Sequence, residues 1–193
     1  MTGIIGIDLS LRSSGLVCID HRKNIVDLKV IKSKPNDLKS NKKLPYPVKN
    51  DEELLIYNSL EMESFIYENY GYGLKGIVIE GLAYGGQSGM KDIIQGNFWY
   101  CRTFIYDMFK PICIGIVPVT EWRKPIVPEV KQAKKDLKEK YGKEWVKIVT
   151  YNRLPKKAKC VIDKYILDNK LPKKTEYDLA DAYFLSVFRL GLE

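Results

Sequence analysis

The sequence predicts an α/β fold in which helices flank a five-stranded mixed sheet, in the order βββαβαβα. Three short apolar segments come first with only turn-length connections between them, as in an antiparallel meander. Two more apolar segments then alternate with helical segments, as in parallel strands joined through helices. The sheet should therefore contain both antiparallel and parallel neighbours.

Each predicted strand is a short apolar run. The third alternates Val26, Leu28 and Val30 with Asp27 and Lys29, which indicates a half-buried strand. The five predicted strands are residues 3–8, 15–19, 25–31, 75–80 and 112–119.

The helices are predicted from apolar periodicity and from their ends. Asn50 or Asp51 caps the first helix, and Gly71 follows its end. The predicted helices are residues 51–68, 90–109, 130–141, 155–168 and 176–190. Residues 32–50 are basic, contain Pro35, Pro45 and Pro47, and are predicted to form a loop that could serve as a binding arm.

Length and composition indicate one globular domain over residues 1–193. The chain is 45% hydrophobic and 29% charged, and no apolar run approaches the roughly 18 residues of a membrane span. The first apolar segment follows no basic residues and meets Asp8 at once, unlike a secretory signal. We therefore expect a cytoplasmic protein, in the host cytoplasm if a phage encodes it.

The cysteines do not predict a metal site. Cys18, Cys101, Cys113 and Cys160 are far apart, and the single histidine, His21, falls at a predicted hairpin. Zinc sites need closer pairs of such ligands, so we expect reduced thiols and no chemical role for His21.

The positive charge is concentrated in one segment. The formal net charge is +8, and residues 121–160 hold thirteen Lys or Arg against five acidic residues. This excess favours a polyanion such as nucleic acid as partner, although a solvated, lysine-rich surface would give the same pattern.

Four acidic residues lie where carboxylates are disfavoured. Asp8 and Glu80 end two of the predicted buried strands, and strand ends are where ligands gather in such sheets. Asp178 and Asp181 are three residues apart in the last helix and so share a face. Oxygen donors without His or Cys suit Mg²⁺ or Mn²⁺, and two such ions hydrolyse phosphodiesters.

Two of these acids have structural alternatives. Asp8 could be an ordinary turn residue, and Asp178 could complete a capping box begun by Thr175. Glu80 precedes glycine, and Asp181 lies among apolar residues, so neither has a comparable explanation.

The order of these residues resembles the RuvC family of Holliday-junction resolvases, which have an RNase H-like fold. Ile7-Asp8 with Ser14-Gly15 is similar to the first motif of that family, Ile79-Glu80 to the second, and Asp178 to Ala182 to the third. The resemblance implies a Mg²⁺-dependent endonuclease, a crossover junction endodeoxyribonuclease that binds two ions through the four acids. Acting as a homodimer, it would resolve four-way DNA junctions by paired symmetric nicks.

The resemblance also implies basic residues near the scissile phosphate. The segment 118–124 and the start of the 155–168 helix are similar to family segments with this role. Lys124 and Lys159 are the predicted catalytic lysines, ahead of Lys157. The predicted DNA-binding residues are Tyr84, Arg123, Lys124, Lys156, Lys157 and Lys159.

The chain departs from the family in two places. Asp8-Leu9-Ser10 replaces an Asp-Pro-Gly or Asp-x-Gly start, and the insert between Lys124 and Lys156 is longer than in the bacterial enzymes. These departures resemble a phage or viral branch, and they leave the preferred cut sequence undefined.

Two aromatic features fit branched DNA and a dimer. Tyr84, in the glycine-rich segment after Glu80, could stack on a base for about 1–3 kcal/mol or could simply cover the core. The helix 90–109 is apolar on more than one face, so it could form the dimer interface or be buried by the C-terminal helices.

Three other functions are compatible with parts of the pattern. A related nuclease of the same fold could cut flaps, forks or RNA–DNA hybrids. An ATP-binding kinase-like protein would share the segment from Gly6 to Gly15, but needs a second domain for which the chain lacks room. A non-catalytic junction-binding protein would not need four carboxylates.

Overall fold

A computed structural model of the chain describes residues 3–10, 13–32, 51–71, 73–81, 91–110 and 112–191. It contains the predicted five-stranded mixed sheet flanked by helices. The strands are β1 (Gly3–Asp8), β2 (Ser13–Ile19), β3 (Ile25–Lys32), β4 (Leu74–Glu80) and β5 (Cys113–Val117).

The strand order in the sheet is β3-β2-β1-β4-β5. β2 pairs antiparallel with β1 and β3, whereas β4 pairs parallel with β1 and β5. Ile7 of β1 lies beside Ile79 of β4, so the next residues, Asp8 and Glu80, end neighbouring parallel strands at the same edge.

Seven α-helices lie in the described part of the chain. They are α1 (Asp51–Tyr70), α2 (Lys91–Met108), α3 (Val119–Trp122), α4 (Lys131–Tyr141), α5 (Trp145–Asn152), α6 (Lys156–Asp168) and α7 (Thr175–Leu190). A 3-10 turn, Gly142–Glu144, joins α4 to α5, and Gly142 has a φ of 66° that favours glycine.

Helix α7 packs directly on the backbone of β1 and β2. A Cβ added at Gly6 would collide with the Ala182 carbonyl and lie 2.8 Å from the Ser186 nitrogen. A Cβ at Gly15 would collide with the Asp178 carbonyl. The two glycines therefore bring α7, and with it Asp178, close to the sheet.

Helices α1 and α2 contribute to the core on the opposite face of the sheet. Apolar residues of β1, β2 and β4 form one cluster with both helices. Its buried helix residues include Met62, Phe65, Ile66, Phe98, Cys101 and Ile105. Helices thus cover both faces of the sheet, and the ends of its strands are left for a candidate site.

The main differences from the predicted elements lie between β5 and α6. The predicted strand 112–119 ends at Val117, because Pro118 has no N–H for the ladder and α3 starts at the next residue. Helices α3 and α5 were not predicted, since four and eight residues are too few for a clear apolar period. Most of the predicted 32–50 loop lies outside the described residues.

No helix within the described ranges is long and apolar enough to cross a bilayer.

Candidate active site

The two strand-end acids meet at the edge of the sheet. Asp8 and Glu80 end β1 and β4, and the charge of Glu80 helps to raise the pKa of Asp8. Asp8 is only 9% exposed. It is the last residue of a paired strand, so the alternative of an ordinary turn aspartate does not describe its position.

The two helix acids approach the same edge from α7. Asp181 is 1% exposed, and Asp178 lies one turn earlier, beside β2. The helix begins at Thr175 without a side-chain cap, so the capping alternative for Asp178 is not adopted. The Asp178 carboxylate instead accepts hydrogen bonds from Ser13 and Lys147, at 2.6 and 3.5 Å.

All four carboxylates line one cavity of about 580 Å³. Basic and hydroxyl side chains also line it, and its volume is within the range of about 300–1,000 Å³ of ligand sites. They are Arg123, Lys147, Lys32, Lys174, Ser10, Ser13, Thr175 and Tyr177. The structure therefore brings together the four acids predicted as one site.

Arg123 is the cation in closest contact with the acids. Its guanidinium donates to Asp181 Oδ2 at 2.5 Å and lies 3.6 Å from Glu80 Oε1. The indole N–H of Trp122 donates to the same Glu80 oxygen at 3.2 Å. Both residues belong to the short connection after β5, which the sequence alone did not predict as a helix.

Lys147 is a site residue that the sequence analysis did not identify. It lies on α5 and forms an ion pair with Asp178 at 3.5 Å. Within a segment of thirteen basic residues, its place in the sequence carries no distinguishing signal. Ser13 was missed as well, although it precedes the Ser14-Gly15 motif directly.

The acids of the site are close enough to disfavour one another's charge. Burial, with the charges of Glu80 and Asp181, raises the pKa of Asp8 well above its usual range. Burial also raises the pKa of Asp181, to about 6, although Arg123 opposes this shift. Burial lowers the pKa of Lys147, but Asp178 and the other carboxylates outweigh it and raise the pKa overall. An additional cation would relieve these repulsions.

The donor set fits a hard divalent cation in its chemistry. The four predicted acids and Glu144 line the cavity, and the buried Asp181 Oδ1 has no hydrogen-bond partner among the described residues. In this conformation, however, no three Asp, Glu, His or Cys side chains of the described ranges are placed to hold one ion together. Instead, Arg123 contacts Glu80 and Asp181, and Lys147 pairs with Asp178.

The other predicted basic residues lie outside this cavity. Lys124 lines a neighbouring cavity of about 420 Å³, which Arg123 also borders. Lys159 lies over the Tyr151 ring, with its Nζ 4.3 Å from the centroid. Lys157 donates to Asn24 at 2.8 Å, and Lys156 is exposed at the start of α6.

The catalytic roles of Lys124 and Lys159 stay predictions, as do the DNA contacts of all these residues. Tyr84 lies outside the described residues.

The sheet and its flanking helices define the class of fold. A five-stranded sheet of order β3-β2-β1-β4-β5, covered on both faces by helices, is the RNase H-like fold of RuvC. The candidate site lies at the ends of its central parallel strands.

Two solved structures show this likeness over nearly the whole chain. RuvC of Thermus thermophilus in complex with Holliday junction substrate has a TM-score of 0.57 at 11% identity, covering 97% of this chain and 91% of that one. A second Thermus thermophilus RuvC structure has a TM-score of 0.58 at 11% identity, with coverages of 98% and 96%. The sequence matches no protein-family model and no curated protein. At 11% sequence identity, the similarity to these structures shows the fold alone.

Proposed function

We propose that this protein is a divalent-metal-dependent endonuclease that resolves four-way DNA junctions by paired symmetric nicks. The observation that carries the proposal is the convergence of Asp8, Glu80, Asp178 and Asp181 on one cavity, where Arg123 and Lys147 pair with them. The RuvC-like fold supports DNA junctions as the substrate, because one of the similar structures is bound to such a junction.

The four acids would hold two Mg²⁺ ions, or Mn²⁺, which when bound would activate a water molecule and stabilise charge on the leaving oxygen. The side chains around them would keep the acids in place. Ser13 and Lys147 orient Asp178, and Trp122 orients Glu80. The ammonium of Lys147, half-exposed in the cavity, is placed to offset charge on the phosphate.

DNA would approach along the basic segment beside the cavity. Helix α4 has no buried residue, so its lysines face solvent, and Lys124 and Lys134 line the neighbouring cavity with Trp145. Among the described residues, Lys124 and Lys134 have no ion-pair partner. We infer that Arg123, Lys124, Lys156, Lys157 and Lys159 contact phosphates.

We further propose a homodimer that forms through α2. The sheet-facing side of α2 is buried, whereas its outer side presents aromatic and apolar side chains. Trp99, Tyr100, Tyr106 and Met108 of α2 are between 42 and 58% exposed. Such a patch is typical of an interaction surface. The phage or viral branch and the cytoplasmic location stay predictions.

A cleavage assay with defined substrates tests the proposed function. With Mg²⁺, the protein should nick a synthetic four-way junction at symmetric positions on opposing strands, and EDTA should abolish the nicks. A flap, a replication fork and an RNA–DNA hybrid of matched sequence should be cut at least about tenfold more slowly. Faster cleavage of one of these would assign the site to the related nuclease instead, and no cleavage of any would reject the nuclease.

Lys147 should matter more for cleavage than Lys124 or Lys159. Lys147→Gln removes the ammonium that contacts Asp178, so the single-turnover rate should fall by about 10²-fold, as when one charge-stabilising donor is lost. The measurement is cleavage of a labelled junction at saturating protein concentration, with Lys164→Gln on the exposed face of α6 as the control. A wild-type rate for Lys147→Gln, with a large loss for Lys159→Gln, would restore the sequence-based ranking.

A further inference from the structure

Arg123 lies inside the acidic cavity in a position that several contacts define. Its guanidinium donates to Asp181 and lies near Glu80, at 2.5 and 3.6 Å. The same group stacks on the Trp122 ring at 4.6 Å from the centroid. Trp122 is itself 1% exposed and bonded to Glu80, so the surface below the guanidinium is fixed.

This position satisfies the charges but not all of the hydrogen bonds. Arg123 Nε and Asp181 Oδ1 are both buried, and neither has a hydrogen-bond partner among the described residues. A buried polar atom without a partner is unfavourable, because it has lost its hydrogen bonds to water. The ion pair therefore leaves a favourable acceptor, Asp181 Oδ1, available for another cation.

Arg123 also borders the second cavity. That cavity is lined by Lys124, Lys134, Glu129 and Trp145, among others, and Arg123 is the one described residue that lines both cavities. The side chain is 22% exposed, so it is not sealed in the interior. A guanidinium that left the acids would remain next to a basic, partly aromatic surface suited to a phosphate.

We propose that Arg123 is an internal counter-ion that competes with a divalent cation for Glu80 and Asp181, and that its release couples metal binding to DNA binding. The proposal rests on the proposed function, since it concerns the occupancy of the same site. It explains why no three acids of the described chain converge on one point although five line the cavity.

The coupling follows from thermodynamic linkage. A cation that binds Glu80 and Asp181 brings a second positive charge to the carboxylates that hold the guanidinium. The repulsion favours release of the guanidinium, which then becomes available to the DNA backbone. A phosphate that binds the guanidinium conversely frees the two carboxylates for the cation. The effect of each ligand on the affinity for the other must be equal. Without DNA, the acids would thus be neutralised by the protein itself.

Metal affinity measured without DNA tests the competition. Isothermal titration with Mg²⁺ is compared for the wild type, Arg123→Gln and Arg102→Gln. Arg102 also lies over a tryptophan ring, at 5.0 Å from Trp99, but has no ion-pair partner among the described residues. Arg123→Gln should bind Mg²⁺ about tenfold more tightly, which corresponds to about 1.4 kcal/mol, and Arg102→Gln should match the wild type.

Lys147→Gln tests whether a rise in Mg²⁺ affinity comes from the loss of competition for Glu80 and Asp181 or only from the loss of one positive charge. It removes one positive charge from the same cavity, but the ion pair of Lys147 is with Asp178. Its Mg²⁺ affinity should rise clearly less than that of Arg123→Gln. An equal rise in the two variants, or no rise in Arg123→Gln, would overturn the proposal. Arg123→Met, with circular dichroism to verify folding, provides a second variant should Arg123→Gln fold poorly.

Junction binding measures the coupling directly. Fluorescence anisotropy of a labelled junction is measured with and without Ca²⁺, which replaces Mg²⁺ to slow cleavage. Ca²⁺ should tighten binding several-fold more in the wild type than in Arg123→Gln, and equal tightening would contradict the coupling. Metal binding that is the same in all variants would reject only the proposal for Arg123. No metal binding by any variant would reject the metal centre of the proposed function as well.

Discussion

Asp8→Asn is expected to abolish junction cleavage while leaving junction binding close to the wild-type level. The substitution keeps the size of the side chain but removes the charge of a carboxyl group that lines the cavity with the other acids. One preorganised charge-stabilising group typically accounts for about 10²–10³ in rate, and a metal ligand should account for at least the upper value. Asp8 is 9% exposed, so it contributes little to the surface that DNA would contact.

The measurements are the single-turnover rate on a labelled junction and the dissociation constant in Ca²⁺. Cleavage by Asp8→Asn at the wild-type rate would reject the site assignment. Loss of binding together with cleavage would indicate that Asp8 contacts DNA or supports the fold instead.

The same variant should be at least as stable as the wild type at neutral pH. Folding raises the pKa of Asp8, so above its ordinary value of 3.8 the folded chain binds more protons than the unfolded chain. Stability therefore falls as the pH rises from that value through the raised pKa. Asn cannot ionise, so the variant does not lose this stability. Thermal unfolding at pH 7 measures it and also shows whether a loss of cleavage reflects a loss of structure.

Gly6→Ala is expected to destabilise the fold by about 3 kcal/mol. The added methyl group would collide with the Ala182 carbonyl and come within 2.8 Å of the Ser186 nitrogen, both of them backbone atoms of α7. Overpacking of this kind costs about 1–3 kcal/mol, and the upper end applies because a helix backbone cannot move aside like a flexible side chain. For a chain of this size, this corresponds to a fall of roughly 6–12 °C in Tm.

Gly96→Ala is the matched control for this prediction. Gly96 lies within α2, and a Cβ added there meets nothing within 4 Å. Alanine favours a helix interior over glycine by about 1 kcal/mol, so this variant should melt at or above the wild-type temperature. Equal Tm values for Gly6→Ala and the wild type would show that α7 does not pack on β1 as closely as described.

The fold could be predicted largely from the sequence because its strands carry local signals. Apolar runs that end at Asp8 and Glu80, and glycine after Tyr70, define element limits without knowledge of distant contacts. The short helix α3 could not be predicted this way. It depends on Pro118 ending β5 and on Trp122 being buried against the core, and four residues carry no period.

The acids of the site could be predicted from the sequence, whereas Lys147 could not. A carboxylate at the end of a buried strand or inside an apolar helix stands out, because such positions are unfavourable without a function. A lysine among thirteen basic residues does not stand out, and the sequence favoured Lys124 and Lys159. Lys147 is distinguished only by α5, which places it 3.5 Å from Asp178.

The sequence by itself determined the mixed α/β sheet, the four acids and the basic character of the segment after β5. These properties depend on residue type and on spacing along the chain, which local patterns record. Only the tertiary structure decided that Arg123 and Lys147 pair with the acids, and that two glycines let α7 approach the sheet. Such contacts join residues far apart in the chain and depend on packing that no local pattern specifies; Ser13 and Asp178, for example, are 165 positions apart.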